Sequence, residues 1–324
     1  MSPRPRTTLL VLVLLLAAAA VARLLVGGEG LAWPGDPEIL GLRLHRLAAA
    51  GIVGGALALG GVLLQSLLRN PLASPDLIGL APGAGFGVMV ATYVHYLATG
   101  ELTRWTGVAG PALAGALAAL GIVYLVSQRR GLIDPAAMIL VGVIVGLVFG
   151  AGTVFLQYQM PDRGQSAVRW LMGSISDETT AGQLGVVGGL GLAVLAVAVH
   201  WGSRLDAASM TEDEARSVGL RIGWIRSFLF VASGALAAGS VVLAGPIGFV
   251  GLIAPHAARI TGGPRHAMLS VNATLAGAAL LIAADTLVKA IDLGAGRLPV
   301  GVLTATLGGP FFLVLLVSRQ GIAN

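Results

Sequence analysis

Long apolar stretches separated by short polar breaks run the length of the chain. A helix that crosses the hydrocarbon core of a bilayer needs ~20 predominantly apolar residues. Ten stretches approach that length, at about 8–27, 46–67, 77–97, 107–127, 136–157, 180–201, 227–245, 246–261, 268–290 and 300–318. They are continuously apolar and lack the inside–outside alternation of barrel strands, which argues against a transmembrane β-barrel. The pattern predicts an all-α polytopic membrane protein with about ten transmembrane helices. The eighth stretch is short, starts after Gly245-Pro246 and contains Pro255, so a tilted or broken helix is expected there.

The first stretch permits two readings. Arg4 and Arg6 precede a Leu-rich run, and Ala20-Val21-Ala22 resembles a signal-peptidase site. The apolar run nevertheless resumes after Arg23 through Leu24-Leu25-Val26, long enough for a retained spanning helix, which is the reading adopted.

Two connections are long enough to carry structure. Residues 161–180 read as an amphipathic segment, with Val168, Trp170, Leu171 and Met172 able to lie on the bilayer surface. Residues 203–226 form the one extended polar stretch on the opposite side. Within it Thr211 is a candidate N-cap with Glu214 at capping-box spacing, and Gly219 offers a break before Leu220. The expectation is a short helix, a glycine turn and a second short helix.

Composition strengthens the membrane reading. Of 324 residues, 56% are hydrophobic and 11% charged, and the mean hydropathy is +0.88. Soluble domains carry ~25% charged residues, so a water-soluble enzyme of this composition could not cover its surface. The absence of cysteine excludes disulfides, Cys-ligated metal and a thiol nucleophile. The net charge of +5 is carried by arginines standing singly between apolar runs, which fits membrane topology rather than nucleic acid. With the N-terminus inside, twelve basic residues are cytoplasmic: Arg4, Arg6, Arg69, Arg129, Arg130, Arg204, Arg216, Arg221, Arg226, Arg259, Arg265 and Arg319. Seven fall outside: Arg43, Arg46, Arg104, Arg163, Arg169, Lys289 and Arg297, with Arg23 near the outer end of the first helix. That asymmetry places both termini of this multi-pass protein in the cytoplasm.

Candidate chemistry is sparse. Glycines at Gly142, Gly146 and Gly150 make a stripe suited to helix packing. Other glycine spacings lack the strand–turn–helix context of a dinucleotide site. A P-loop needs Gly-Lys-Ser/Thr, and the only lysine, Lys289, follows Val288. His45, His95, His200, His256 and His266 include no pair at i, i+3 or i, i+4, which argues against metal ligation. Asp285 is an acid inside the apolar run 280–288; an ion pair with Lys289 at i+4 is the reading adopted, against a role in transport. Gln157, Tyr158 and Gln159 close the fifth stretch on its outer side, either lining a substrate vestibule or simply meeting water.

Four ordered blocks carry a resemblance. They are Gln65-Ser66-Leu67-Leu68-Arg69-Asn70-Pro71-Leu72-Ala73-Ser74-Pro75-Asp76-Leu77-Ile78-Gly79, then Trp170-Leu171-Met172-Gly173-Ser174, then Gly245-Pro246-Ile247-Gly248-Phe249-Val250-Gly251-Leu252-Ile253-Ala254-Pro255-His256 with Arg259, and finally Leu298-Pro299-Val300-Gly301-Val302-Leu303-Thr304-Ala305 with Gly309-Pro310-Phe311-Phe312. In this order the chain resembles the ABC importer permeases for ferric siderophores, haem and vitamin B12. The resemblance implies a type II importer bundle like that of the vitamin B12 permease, with residues 1–324 as one transmembrane permease domain. It also implies a second permease subunit, identical or homologous, two ATP-binding subunits that hold ATP and Mg, and an extracytoplasmic substrate-binding protein. The chain itself would bind no cofactor and carry no catalytic residue.

The family's coupling element falls on 206–221, where Glu214-Ala215-Arg216-Ser217-Val218-Gly219 matches its acidic-Ala…Gly pattern. The implied ATPase-coupling residues are Asp206, Thr211, Glu214, Ala215, Arg216, Gly219, Leu220 and Arg221. The implied docking residues for the binding protein are Arg43, Arg46 and Lys289, joined by Arg297. Two departures touch that outer face: Arg43-Leu44-His45-Arg46 stands where the family has Arg-Leu-Pro-Arg, and Arg297-Leu298-Pro299 where it often has Glu-Leu-Pro. A ferric siderophore is the expected substrate, with vitamin B12 or haem as the alternative and a secondary transporter as the rival of another class.

Overall fold

The computed structural model describes residues 5–27, 30–99, 107–129, 132–160, 170–208, 222–291 and 298–320. Eleven helices are described: α1 (Pro5–Leu25), α2 (Pro37–Leu68), α3 (Leu80–Thr99), α4 (Ala109–Val126), α5 (Pro135–Tyr158), α6 (Ala181–His200), α7 (Gly202–Ala208), α8 (Ile222–Ala244), α9 (Val250–Gly262), α10 (His266–Ala290) and α11 (Val300–Gln320). Every predicted apolar stretch is a helix, and α7 is the extra, short one. Seven of them (α1, α2, α4, α5, α6, α8 and α10) are long and apolar enough to cross a membrane.

The central element is α2. Its 32 residues make it about 48 Å long, well beyond a hydrocarbon core of ~30 Å. The apolar pattern marks its start near 46, but the helix begins at Pro37, because Asp36 caps the Glu38 N–H and proline suits the first helical position. Arg43, His45 and Arg46 therefore ride on a rigid helix rather than in a loop. From Ala49 onward α2 is mostly buried, with α10, α8, α9 and α6 packed around it. Helices α3, α4 and α5 form an adjoining layer, and α1 lies against α10.

Small residues set the closest approaches. Gly54 faces Gly277, so that a Cβ on Gly54 would stand 2.8 Å from Leu281 Cβ, and Gly61 abuts Gly251 backbone to backbone. Gly142 and Gly146 receive the turn at Gly79, as the predicted packing stripe requires, while Gly150 faces open space. In lipid such contacts, rather than a hydrophobic drive between helices, hold a bundle together.

The expected break at the eighth stretch is real. Helix α9 has 13 residues, about 20 Å, too short to span. It starts opposite Leu57 and Gly61 of α2, after Phe249 in a left-handed conformation (φ 67°). Just before it lies a junction of three backbones. The Ser174 N–H donates to Ala244 O at 2.8 Å and the Gly301 N–H to Gly173 O at 3.0 Å. A Cβ on Gly301 would lie 2.8 Å from Pro246 O, and Gly173 has φ 69°. Three of the four sequence blocks thus meet at one point, and their glycines are there because no side chain fits.

Residues 161–169, including Val168, lie outside the described residues. The expected surface position of Trp170 and Leu171 is corrected: Trp170 packs against the main core and Leu171 against Met89 and Met160, while Met172 is exposed. The bundle exposes Leu125, Leu147, Val186 and Leu192, an apolar girdle suited to acyl chains.

Candidate functional site

One end of the bundle is organised by Asp285, which is completely buried in α10. The expected i+4 pairing with Lys289 does not account for its hydrogen bonds, which come from across the fold. Arg23 Nε donates to Oδ2 at 2.7 Å, and Arg46 donates through Nε to Oδ2 at 3.0 Å and through Nη2 to Oδ1 at 2.9 Å. Arg46 Nη1 then reaches Asp177 Oδ1 at 3.0 Å, ahead of α6. The forked guanidinium of Arg46 offers the carboxylate two parallel bonds. Two cations and two acids neutralise one another across α1, α2, α10 and the approach to α6. Arg23 is itself fully buried, and its Nη1 and Nη2 have no hydrogen-bond partner among the described residues.

The neighbouring side chains of the altered motif also turn inward. Arg43 Nη1 donates to the carbonyl of Leu24, and to Ala32 O at 3.1 Å, while His45 Nε2 contacts Thr179 Oγ1 at 3.0 Å. Arg43 and Arg46, expected at an outer docking face, therefore fasten α1 and the 174–180 segment to α2 in this structure. Lys289 sits half-buried in the last turn of α10. Arg297 lies outside the described residues.

At the opposite end, Asp206 of α7 accepts two bonds from His266, from the backbone N–H at 2.9 Å and from Nδ1 at 2.6 Å. His266 Nε2 is 2.6 Å from Ser66 Oγ at the end of α2. This Ser–His–Asp chain joins positions 66, 206 and 266, but the buried Ser66 hydroxyl also donates to Val62 O at 2.8 Å. It reads as a brace between α2, α7 and α10 rather than a nucleophile. Gln65, next to it, bonds Arg259 Nη2 through Oε1 at 2.9 Å and Ala73 O through Nε2 at 3.3 Å. Thr8 Oγ1 donates to Thr261 O at 2.7 Å, so the first turn of α1 lies at this same end. Of the anticipated coupling residues only Asp206 falls within the described residues; Thr211, Glu214, Ala215, Arg216, Gly219, Leu220 and Arg221 lie outside them.

Gln157, Tyr158 and Gln159 sit at the Arg46 end of α5. Gln157 is half-buried, Gln159 caps the helix, and Tyr158 is 81% exposed on a face that also exposes Phe155 and Val154. Sequence reasoning missed Arg23 as a partner of Asp285, Asp177 as the outer end of that chain, and the Ser66–His266 contact. An arginine interrupting the first apolar run was the available signal, since an intramembrane charge demands a partner.

Comparison with known proteins agrees with this architecture. The chain matches the FecCD transport family over residues 9–318. It is 34% identical over 313 residues to the cobalamin import system permease protein of Halobacterium salinarum, covering 90% of this chain and 81% of that one. It is 36% identical over 285 residues to the vitamin B12 import system permease protein of Vibrio cholerae, covering 86% and 82%. Among solved structures, a metal-chelate type ABC transporter in an inward-facing conformation superposes with a TM-score of 0.82 at 30% identity, covering 97% of this chain and 99% of that one. The family match, the identities and the nearly complete coverage converge: the chain belongs to the FecCD transport family and is a helical membrane permease of a type II ABC importer.

Proposed function

We propose that the chain pairs with a second permease subunit to form the pathway of a binding-protein-dependent importer for a metal chelate, with cobalamin as the first substrate to test. The observation that carries this reading is the likeness, along nearly the whole chain, to permeases named for cobalamin import. A ferric siderophore, the substrate expected from the sequence, is the second reading, favoured by the metal-chelate type neighbour. Haem belongs to the same architecture.

In this reading the chain performs no covalent chemistry. Two partner ATPase subunits bind ATP and Mg and close on residues 206–221, and α7 transmits that movement through Asp206 to α10 and α2. The end bearing His266 is cytoplasmic, along with both termini, as the arginine asymmetry favours. The Arg46 end faces the binding protein, with Arg43, Arg46, Lys289 and Arg297 as docking residues. Arg46 can serve there by exchanging the exposed carboxylate of Asp177 for one on the binding protein while keeping its grip on buried Asp285. Gln157, Tyr158 and Gln159 stand at the outer mouth of the pathway between the two permeases.

The test is reconstitution of the permease with its ATPase and binding protein, screening cobalamin, ferric siderophores and haem for stimulated ATP hydrolysis. Stimulation by cobalamin supports the first reading, and stimulation by a ferric siderophore alone transfers the assignment to the second. ATPase activity in the isolated chain would refute both.

A further inference from the structure

Below the Ser66–His266–Asp206 brace, the end of α2, the α9–α10 turn and α7 enclose an open cavity of about 370 Å³. That is within the range of small-molecule sites, about 300–1,000 Å³. Among the described residues its lining has three guanidinium groups, Arg69, Arg259 and Arg265, and a single acid. The acid, Asp206, is already bonded twice by His266. Arg69 and Arg265 are exposed, and neither has an ion-pair partner among the described residues. Positive charge is thus concentrated in one concave place, beside the N-terminus of the 25-residue α10, whose dipole adds to it.

The backbone at Arg69 supplies a second observation. It caps α2 in the left-handed region (φ 49°), its N–H directed to the carbonyls of Gln65 and Ser66. Glycine or asparagine is the favoured residue at such a cap, and any other side chain is held there at a cost. The chain nevertheless keeps a long cation at this point, on the rim of the cavity. Phe249 is the only other non-glycine residue with positive φ among the described residues.

We propose that this cavity is a binding site for a phosphate-bearing anion, gripped by Arg69 and Arg265 with Arg259 behind them. Planar guanidinium forks match phosphate oxygens in pairs. Basic pockets between transmembrane helices at a membrane surface take up anionic lipid headgroups. The same chemistry serves a headgroup phosphodiester or a free phosphate, and the two sources are separable by experiment. The inference is independent of which substrate the importer carries.

The full-length chain is purified in an uncharged detergent and compared with R69Q/R265Q and with a control, R204Q, whose guanidinium lies over the Trp201 ring outside the cavity. One arm measures retention of phosphatidylglycerol against phosphatidylcholine by native mass spectrometry. The other measures the rise in unfolding temperature on titrating inorganic phosphate against chloride at constant ionic strength. Wild type and R204Q should retain phosphatidylglycerol selectively, and R69Q/R265Q should bind it about thirtyfold more weakly. Phosphate stabilisation confined to the same two proteins would identify a free anion as a ligand as well; its absence beside selective lipid retention would identify the headgroup as the source. If R69Q/R265Q matches wild type in both arms, or if neither anion binds wild type, the proposal is overturned.

Discussion

The two ends of the bundle both gather arginine and aspartate and treat them oppositely. At one end Arg23, Arg46, Asp285 and Asp177 pair charge for charge, with Asp285 and Arg23 withdrawn entirely from solvent. At the other, Arg69 and Arg265 lie exposed on the rim of a cavity whose one acid among the described residues is already committed to His266. A charge taken out of water must be matched on the spot, because isolated burial costs more than a fold can supply. A charge left at a water-filled rim can remain unmatched and available to a ligand. The first end is thus built as a closure, tying α1 to α2 and α10, and the second as a receptor beside the segment expected to meet the ATPase.

That contrast breaks most visibly at Asp285. D285A would strand Arg23 and the inner half of Arg46, and the expected loss of stability is about 3–5 kcal/mol, the usual consequence of orphaning a buried charge. Thermal unfolding in nanodiscs measures it. Should D285A fail to accumulate, R23L/D285L, which removes acid and cation together, should recover most of the lost stability. Equal damage in the two variants would show that the pair does not act as a unit.

A smaller effect is expected at the open end. H266A removes the link between Asp206 and Ser66, and the expected loss is about 1–3 kcal/mol, since Asp206 is partly exposed and water can replace its bond. Urea or heat denaturation should show it, together with faster amide exchange in α7. Unchanged exchange there would separate α7 from α10. Smallest of all, D177N cuts only the exposed outer link of Arg46 and should cost no more than about 1 kcal/mol. A loss as large as that of D285A would mean that closure at this end depends on its exposed acid.

How much of this was legible before the structure depends on the range of each contact. The helices were, because twenty apolar residues in a row have few other fates, and the interruption at α9 was announced by Gly245-Pro246 and Pro255. The start of α2 was not, because hydropathy marks where lipid begins and not where a capped helix extends beyond it. The long-range partners of Asp285 were missed for a related reason. Lys289 is its neighbour by helical arithmetic, whereas Arg23 and Arg46 are 262 and 239 positions away. Ser66 and His266 stood in view, one inside a recognised block and one just past another, but nothing in their spacing joins residues 200 apart. The glycines of the blocks were visible as a pattern, and their reason became apparent only where Gly173, Gly245 and Gly301 meet.

The central claim is that this chain conducts substrate only as the membrane part of an ATP-driven importer. Its most direct test is uptake of labelled cobalamin into proteoliposomes holding the permease and its ATPase, with the binding protein outside and ATP and Mg enclosed. The account predicts ATP-dependent accumulation that disappears when either partner protein is omitted. Uptake at the same rate by the permease alone, without ATP hydrolysis, would contradict it.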